Sequence, residues 1–503
     1  MVYRGKPSKA CQRCRERKLR CDLQRPHCNS CLRAGVRCYG YRDTESLRIE
    51  NETQSVRSKP KLLKGNTYPT VTRPKNVNLS HLPLDLQVQA RELFIEYYIQ
   101  DFSRAWDFLN PYLNSNDIPE HVRLGIDAAS LAFLSHHVTS PSAANLGRLK
   151  YVSALQKTNA VLQCTNAAQE TSTLDATLLL DLFEKILNSG GAAREKSQRA
   201  HIEGSLALVK LRGLNNFTDE AGVKKLYRLT INTMISCVSL GSPVPSELFK
   251  IREHLSHFMN TKDPKFRSVG VIFNTTTPGE ELSQSLPDPW ENIERCASLD
   301  EQLETISLEA SPTWYVFWVD LHYSSERVLD DFYDVYDSRM TTQMWNALRV
   351  SRLLLCEEIL ESLPACQSEK SVRAAQRATA AMDELIKEIC ASVPQMTDCK
   401  NAAKSKLPPN ADACISFHGH TVSHFLDNYI LLYALYVAGW SRGCQTRQRA
   451  WIIKQLIHIG DHFRVKEAAL VANILQNQTK NAMSEKPRPW DIYRLLGSYA
   501  FAA

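Results

Sequence analysis

The chain is 503 residues long and carries 61 Lys and Arg against 54 Asp and Glu, a net charge of +7. It has no run of about 20 apolar residues, so no membrane partner is expected. It also has no P-loop, nucleophile elbow or dinucleotide fingerprint, so nothing in it reads as an enzyme.

The charge is concentrated at one end. Through Arg42 there are twelve Lys and Arg, opposed by Glu16 and Asp22 alone, which gives +10; the other 461 residues sum to about −3. A strongly cationic head on a nearly neutral body is the electrostatic footprint of a polyanion binder. The same segment holds Cys11, Cys14, Cys21, Cys28, Cys31 and Cys38. Each half reads C-x2-C-x6-C, and the halves repeat with a period of 17.

Paired CxxC spacing points to metal, and thiolates suit tetrahedral zinc. One zinc would strand two cysteines, and two separate zincs would need eight. Six suffice for two Zn²⁺ if two sulfurs are shared, and the repeat suggests equivalent cysteines such as Cys11 and Cys28. A disulfide framework would need an oxidising compartment. The N-terminal residues lack the apolar core of a secretory leader. His27 is expected as an exposed loop residue rather than a ligand.

Between Cys14 and Cys21 stand Arg15, Arg17, Lys18 and Arg20. The composition suggests a short helix with both ends tied to metal, projecting these cations in a fixed fan. Such a Lys or Arg can donate to guanine N7 and O6, while the others contact phosphate.

The first 42 residues resemble the fungal zinc binuclear cluster (Zn2Cys6) transcription regulators. The string from Ala10 to Asp22 carries the likeness, together with Arg25-Pro26-His27-Cys28-Asn29-Ser30-Cys31 and Cys38. The resemblance implies Cys11 and Cys28 as bridges, Cys14 and Cys21 completing one zinc, and Cys31 and Cys38 the other. It also implies that Lys18 reads a CGG triplet of double-stranded DNA with help from Arg17 or Arg15, in the nucleus.

Residues 43–83 read as a linker, polar and interrupted by Pro60, Pro69, Pro74 and Pro83. The family's usual coiled coil is not expected there, since sustained heptads are missing. That leaves open self-association, or pairing with another zinc-cluster protein, through the body.

From residue 84 to 503 the apolar spacing is helical. Helical runs are expected around Leu149, Val152, Leu155 and Leu162, over 174–184 with a stop at Gly190-Gly191, and at 219–240, 312–336, 341–363, 371–392, 421–441, 446–459 and 461–477. The fold class expected is a small zinc-nucleated module of two short helices (1–42), a flexible linker (43–83) and a large all-α domain (84–503). His201-Ile202-Glu203-Gly204-Ser205-Leu206-Ala207-Leu208-Val209-Lys210-Leu211-Arg212-Gly213 and the stretch from Tyr433 to Leu475 resemble the fungal-specific transcription factor domain. That likeness implies an all-α regulatory body that meets the transcription machinery.

Other features read as structural. His418, His420 and His424 form H-x-H-x3-H without an obvious completing ligand, so a packed polar helix face is expected. Nine scattered cysteines, Cys164 to Cys444, are expected as small buried apolar residues. Residues 279–310 hold nine Asp and Glu against Arg295 alone, and read as an acidic loop and helix between two lobes. The expected function is a sequence-specific transcription regulator acting on RNA polymerase II promoters. The alternative is a zinc-dependent protein-interaction module fused to a helical domain.

Overall fold

The computed structural model describes residues 9–41 and most of 85–496. Outside the described set lie 1–8, 42–84, 114, 116, 139, 165–169, 188–191, 277–287, 311–313, 315, 322–324, 366–367, 399–419, 421, 479–486 and 497–503. The linker reading, Gly190-Gly191, the first part of the acidic stretch and His418 therefore fall outside it. The chain divides into two compact units between Ser80 and His81.

Among its described residues the first unit has two short helices, α1 (Gln12–Glu16) and α2 (Asn29–Arg33). Its buried side chains, among the described residues, are all cysteines: Cys11, Cys14, Cys28, Cys31 and Cys38. So small a segment has no hydrocarbon core of its own. Three hydrogen bonds stitch the halves together: Asn29 N–H to the Asp22 carboxylate (3.0 Å), Ser30 Oγ to the Arg20 carbonyl (3.0 Å) and Gln12 N–H to the Gly40 carbonyl (3.0 Å).

The second unit is mostly helical. Its longer helices are α3 (Leu86–Leu93), α4 (Glu120–Val138), α5 (Pro141–Leu162), α6 (Thr171–Ile186), α7 (Ala192–Arg212), α8 (Glu220–Leu240), α9 (Glu247–Ser256), α10 (Pro264–Thr276) and α11 (Pro289–Ala310). After a β-ribbon come α12 (Arg339–Ser362), α13 (Glu369–Ala391), α14 (Val422–Tyr429), α15 (Leu431–Trp440), α16 (Thr446–His462), α17 (Lys466–Gln478) and α18 (Pro489–Leu496). Helix α15 is apolar on every side and lies at the centre, packed by α12, α13, α16, α17 and α18.

Two expectations are corrected here. The described residues of the run at 312–336 form no helix: β1 (Val316–Asp320) and β2 (Phe332–Tyr336) pair antiparallel, Val316 opposite Tyr336 and Asp320 opposite Phe332. The body is therefore not strictly all-α. Tyr315-Val316-Phe317-Trp318-Val319 is β-branched and aromatic, which suits a pleated surface better than a helix. The second correction is at 421–441, where two helices replace one and the break falls at Ile430.

Helix α5 forms as expected but faces differently from its leucine stripe. Leu149 and Val152 are exposed, and the buried positions are Ala143, Gly147, Ala154 and Thr158. These small residues let α5 approach α4 closely; a Cβ on Gly147 would stand 3.3 Å from Leu131 Cβ.

Buried guanidinium groups cross-link the body. Arg339 reaches Asp101 (3.1 Å), Asp427 (2.5 Å) and Ser423 Oγ (2.8 Å), tying the first helical segment to α12 and α14. Arg349 joins Asp334 and Glu388 (3.2 and 2.9 Å), fastening β2 to α13. The acidic helix α11 is tied likewise: Asp300 and Glu304 both bind Arg352, while Leu299, Leu303 and Ile306 are buried.

Candidate metal centre

The backbone of the first unit brings the six sulfurs together through paired helix ends. In α1 the N–H of Leu19 bonds the carbonyl of Cys14 (2.8 Å), with Lys18 left-handed at φ +53°. In α2 the N–H of Val36 bonds the carbonyl of Cys31 (3.2 Å), with Gly35 left-handed at φ +63°. Both are the six-to-one closure that ends a helix on a left-handed residue. The 17-residue repeat superposes Cys14 on Cys31, and Lys18 on Gly35.

Composition suggests a single helix carrying Arg17, Lys18 and Arg20 as far as Cys21. That is corrected: α1 stops at Glu16, Arg17 and Lys18 form its closing turn, and Leu19 to Cys21 leave it. Arg17, Lys18 and Arg20 are exposed, as are Arg25, Arg33 and Arg37. Arg15 lies on α1.

The sulfurs form two sets of four, each with its ligand atoms within 4.8 Å of one another: Cys11, Cys14, Cys21, Cys28, and Cys11, Cys28, Cys31, Cys38. Cys11 and Cys28 belong to both. The Sγ–Sγ distances are 3.6 Å for Cys11–Cys28, and 3.8 Å for both Cys11–Cys31 and Cys14–Cys28. Four thiolates about 2.3 Å from a tetrahedral zinc sit about 3.8 Å apart, so the spacing fits.

The thiols have opposing environments. Burial pushes the Cys11 thiol up and carries Cys28 to about 12. Backbone hydrogen bonds with Cys28 and Gly40 hold Cys38 down, at about 6. Thiolates at the doubly shared positions are thus costly without a cation between them. Zinc supplies that positive charge and removes the protons.

Two further groups, not evident from cysteine spacing, support the sulfurs. Arg13 Nη1 donates to Cys31 Sγ at 3.7 Å. Tyr41 donates its hydroxyl to the Gln24 carbonyl (2.6 Å) while lying 4.0 Å from Cys21 Sγ. An arginine between two ligands and an aromatic three residues after the last cysteine were the available signals. His27 is exposed, beside the cis Arg25–Pro26 bond.

In the body, His420 stacks edge-on to His462 (4.6 Å between ring centroids) and lies 5.5 Å from His424. His458 stacks on His462 at 4.9 Å. His458 and His462 lie one helical turn apart on α16, outside the H-x-H-x3-H motif. Among the described residues, the two cysteine sets are the groups of three or more metal-binding side chains that converge within 4.8 Å. Glu184 accepts from Ser197 Oγ (2.5 Å) and contacts His201 Nε2 (3.3 Å). Ser197 thus donates to the carboxylate, an arrangement that packs helices together. Cys237, Cys296, Cys356 and Cys390 are buried, whereas Cys164 is exposed.

The first unit is a thiolate-rich metal centre faced with exposed cations, the construction of a nucleic-acid-binding module. Residues 9–47 match the fungal Zn(2)-Cys(6) binuclear cluster domain, so this segment is a module for two Zn²⁺ of the kind that zinc-cluster DNA-binding transcription regulators carry. No curated protein and no solved structure matches the chain. No described helix is long and apolar enough to cross a membrane.

Proposed function

We propose that the chain is a nuclear regulator of RNA polymerase II promoters whose zinc cluster reads a CGG-type triplet in the major groove. In this reading Cys11 and Cys28 bridge the two metals, Cys14 and Cys21 complete one site, and Cys31 and Cys38 the other. Lys18 donates to guanine N7 and O6; Arg15, Arg17 and Arg20 help it or hold phosphate. The observation that carries it is Lys18 itself, an exposed cation on the left-handed residue that ends a helix anchored by two cluster cysteines. Residues 1–42 form the DNA-binding domain, 43–83 the linker, and 84–503 a regulatory domain of the fungal transcription factor type. The mostly helical body supports that last assignment. Self-association, a second zinc-cluster protein and the transcription machinery are the partners this body would serve.

Selection of random duplex DNA by residues 1–80, with and without chelator, tests the reading. Enrichment of a CGG-type triplet that chelation abolishes is the expected result, and the spacing of triplets reports the oligomeric state. Zinc-loaded protein that enriches no sequence would point to a protein-interaction module.

A further inference from the structure

Helices α9, α10 and α11 line an open cleft of about 520 Å³ on the body. That volume lies within the range of small-molecule sites. Arg252 of α9 sits at its wall, half-buried. Its Nη2 donates to the Phe266 carbonyl (2.9 Å), and its Cζ lies 4.4 Å from the centre of the Phe266 ring. Arg252 enters none of the ion pairs among the described residues. The backbone makes room for it: a Cβ on Gly270 would stand 2.3 Å from Nη2 and 3.0 Å from Cζ.

The rest of the lining is amphipathic. Phe249 and Phe273 meet edge to face at 4.6 Å beside Ile306, while Gln302 and Thr305 supply polar groups from α11. The other cation, Arg267, is already neutralised by Glu309. Among the described residues no carboxylate answers the Arg252 guanidinium, a planar fork that lines the same cleft as the aromatic pair of Phe249 and Phe273.

We propose that this cleft binds a small amphipathic monocarboxylate, with its carboxylate on Arg252 and its apolar body across Phe249, Phe273 and Ile306. The guanidinium fork matches a carboxylate in two-point geometry. A single guanidinium favours a monoanion over a phosphate dianion. The site is independent of how the zinc cluster reads DNA.

The test is isothermal titration of the zinc-loaded full chain with 4-phenylbutyrate, indole-3-butyrate and octanoate, each against its neutral amide. At least one acid is expected to bind saturably at one per chain, and about tenfold or more tighter than its amide. Arg252→Gln and Gly270→Ala should each bring the acid down to the level of the amide. Gly270→Ala leaves the arginine in the chain and adds helix propensity on α10, so it separates displacement of the guanidinium from loss of fold. Photolabelling of the unmutated chain with 4-benzoylbenzoate should place the label on peptides of α9 to α11, displaced by the tightest acid. Equal affinity of acid and amide, unchanged binding in both variants, labelling elsewhere, or no saturable binding by any acid at millimolar concentration would overturn the proposal.

Discussion

Replacing Lys18 with glycine separates the fold of the zinc cluster from its reading of DNA. Lys18 occupies the left-handed position that Gly35 occupies in the other half of the repeat. A residue with a Cβ is disfavoured there by about 1 kcal/mol or somewhat more. Glycine relieves that strain and gives back about 0.5–1 kcal/mol through the freer unfolded chain. Zinc affinity and thermal stability of the module should therefore stay level or rise slightly. The cost falls on recognition. A two-point contact to guanine is worth about 1–3 kcal/mol of discrimination, or a factor of about 5 to 150. Zinc release to a chromogenic chelator measures the first quantity. Fluorescence anisotropy on a CGG duplex and a scrambled one measures the second. Lys18→Ala, which keeps the Cβ, should lose the same discrimination without the gain in stability. Zinc released from Lys18→Gly as readily as from a ligand variant would refute the helix-end argument. Undiminished preference for the triplet would refute the assigned contact.

Cys14→Ala should lower bound zinc below two per chain, by metal analysis, and abolish DNA binding, because it removes both a ligand and the anchor of α1. The logarithm of the DNA association constant should fall linearly with the logarithm of salt, by about 0.9 per phosphate contact. Arg20→Ala should reduce that slope by about one contact if Arg20 holds phosphate, and an unchanged slope would remove it from the interface. The body should lose stability in acid. Burial pushes His137 well below its ordinary range, lowers His136 and carries His458 to about 4, with Arg327 adding to the last. Groups that protonate more readily when unfolded contribute stability that is full above about pH 6.5 and is lost as pH falls toward 4. His201 works in the opposite sense: burial would lower it, but Glu184 outweighs burial and raises it. Chemical denaturation of the body between pH 7 and 4.5 should show the midpoint falling, and His458→Gln should flatten the curve. A midpoint independent of pH would contradict the burial of these rings.

The cluster was legible in the primary structure because its chemistry is local. Six thiols at fixed spacing can satisfy two tetrahedral ions in few ways, and twelve cations in the same segment name a polyanion as partner. Most helices of the body were legible for a similar reason, since a 3.6-residue period is written into adjacent residues. The ribbon at Val316–Tyr336 was not, because two strands declare themselves through each other across an intervening loop. Nor was the outward face of Leu149 and Val152, since a stripe of leucines does not reveal that smaller residues win the closer contact. Tertiary structure alone brought His458 and His462 to His420, and set Arg252 in a cleft where, among the described residues, it pairs with no carboxylate. The end of α1 at Glu16 is a local matter that composition hides, because the six-to-one bond to Cys14 closes the helix there and leaves Lys18 on the turn. Residue type and spacing determine which atoms a metal can gather. Which side chains then face solvent, a neighbour or a cleft depends on contacts between segments far apart in the chain.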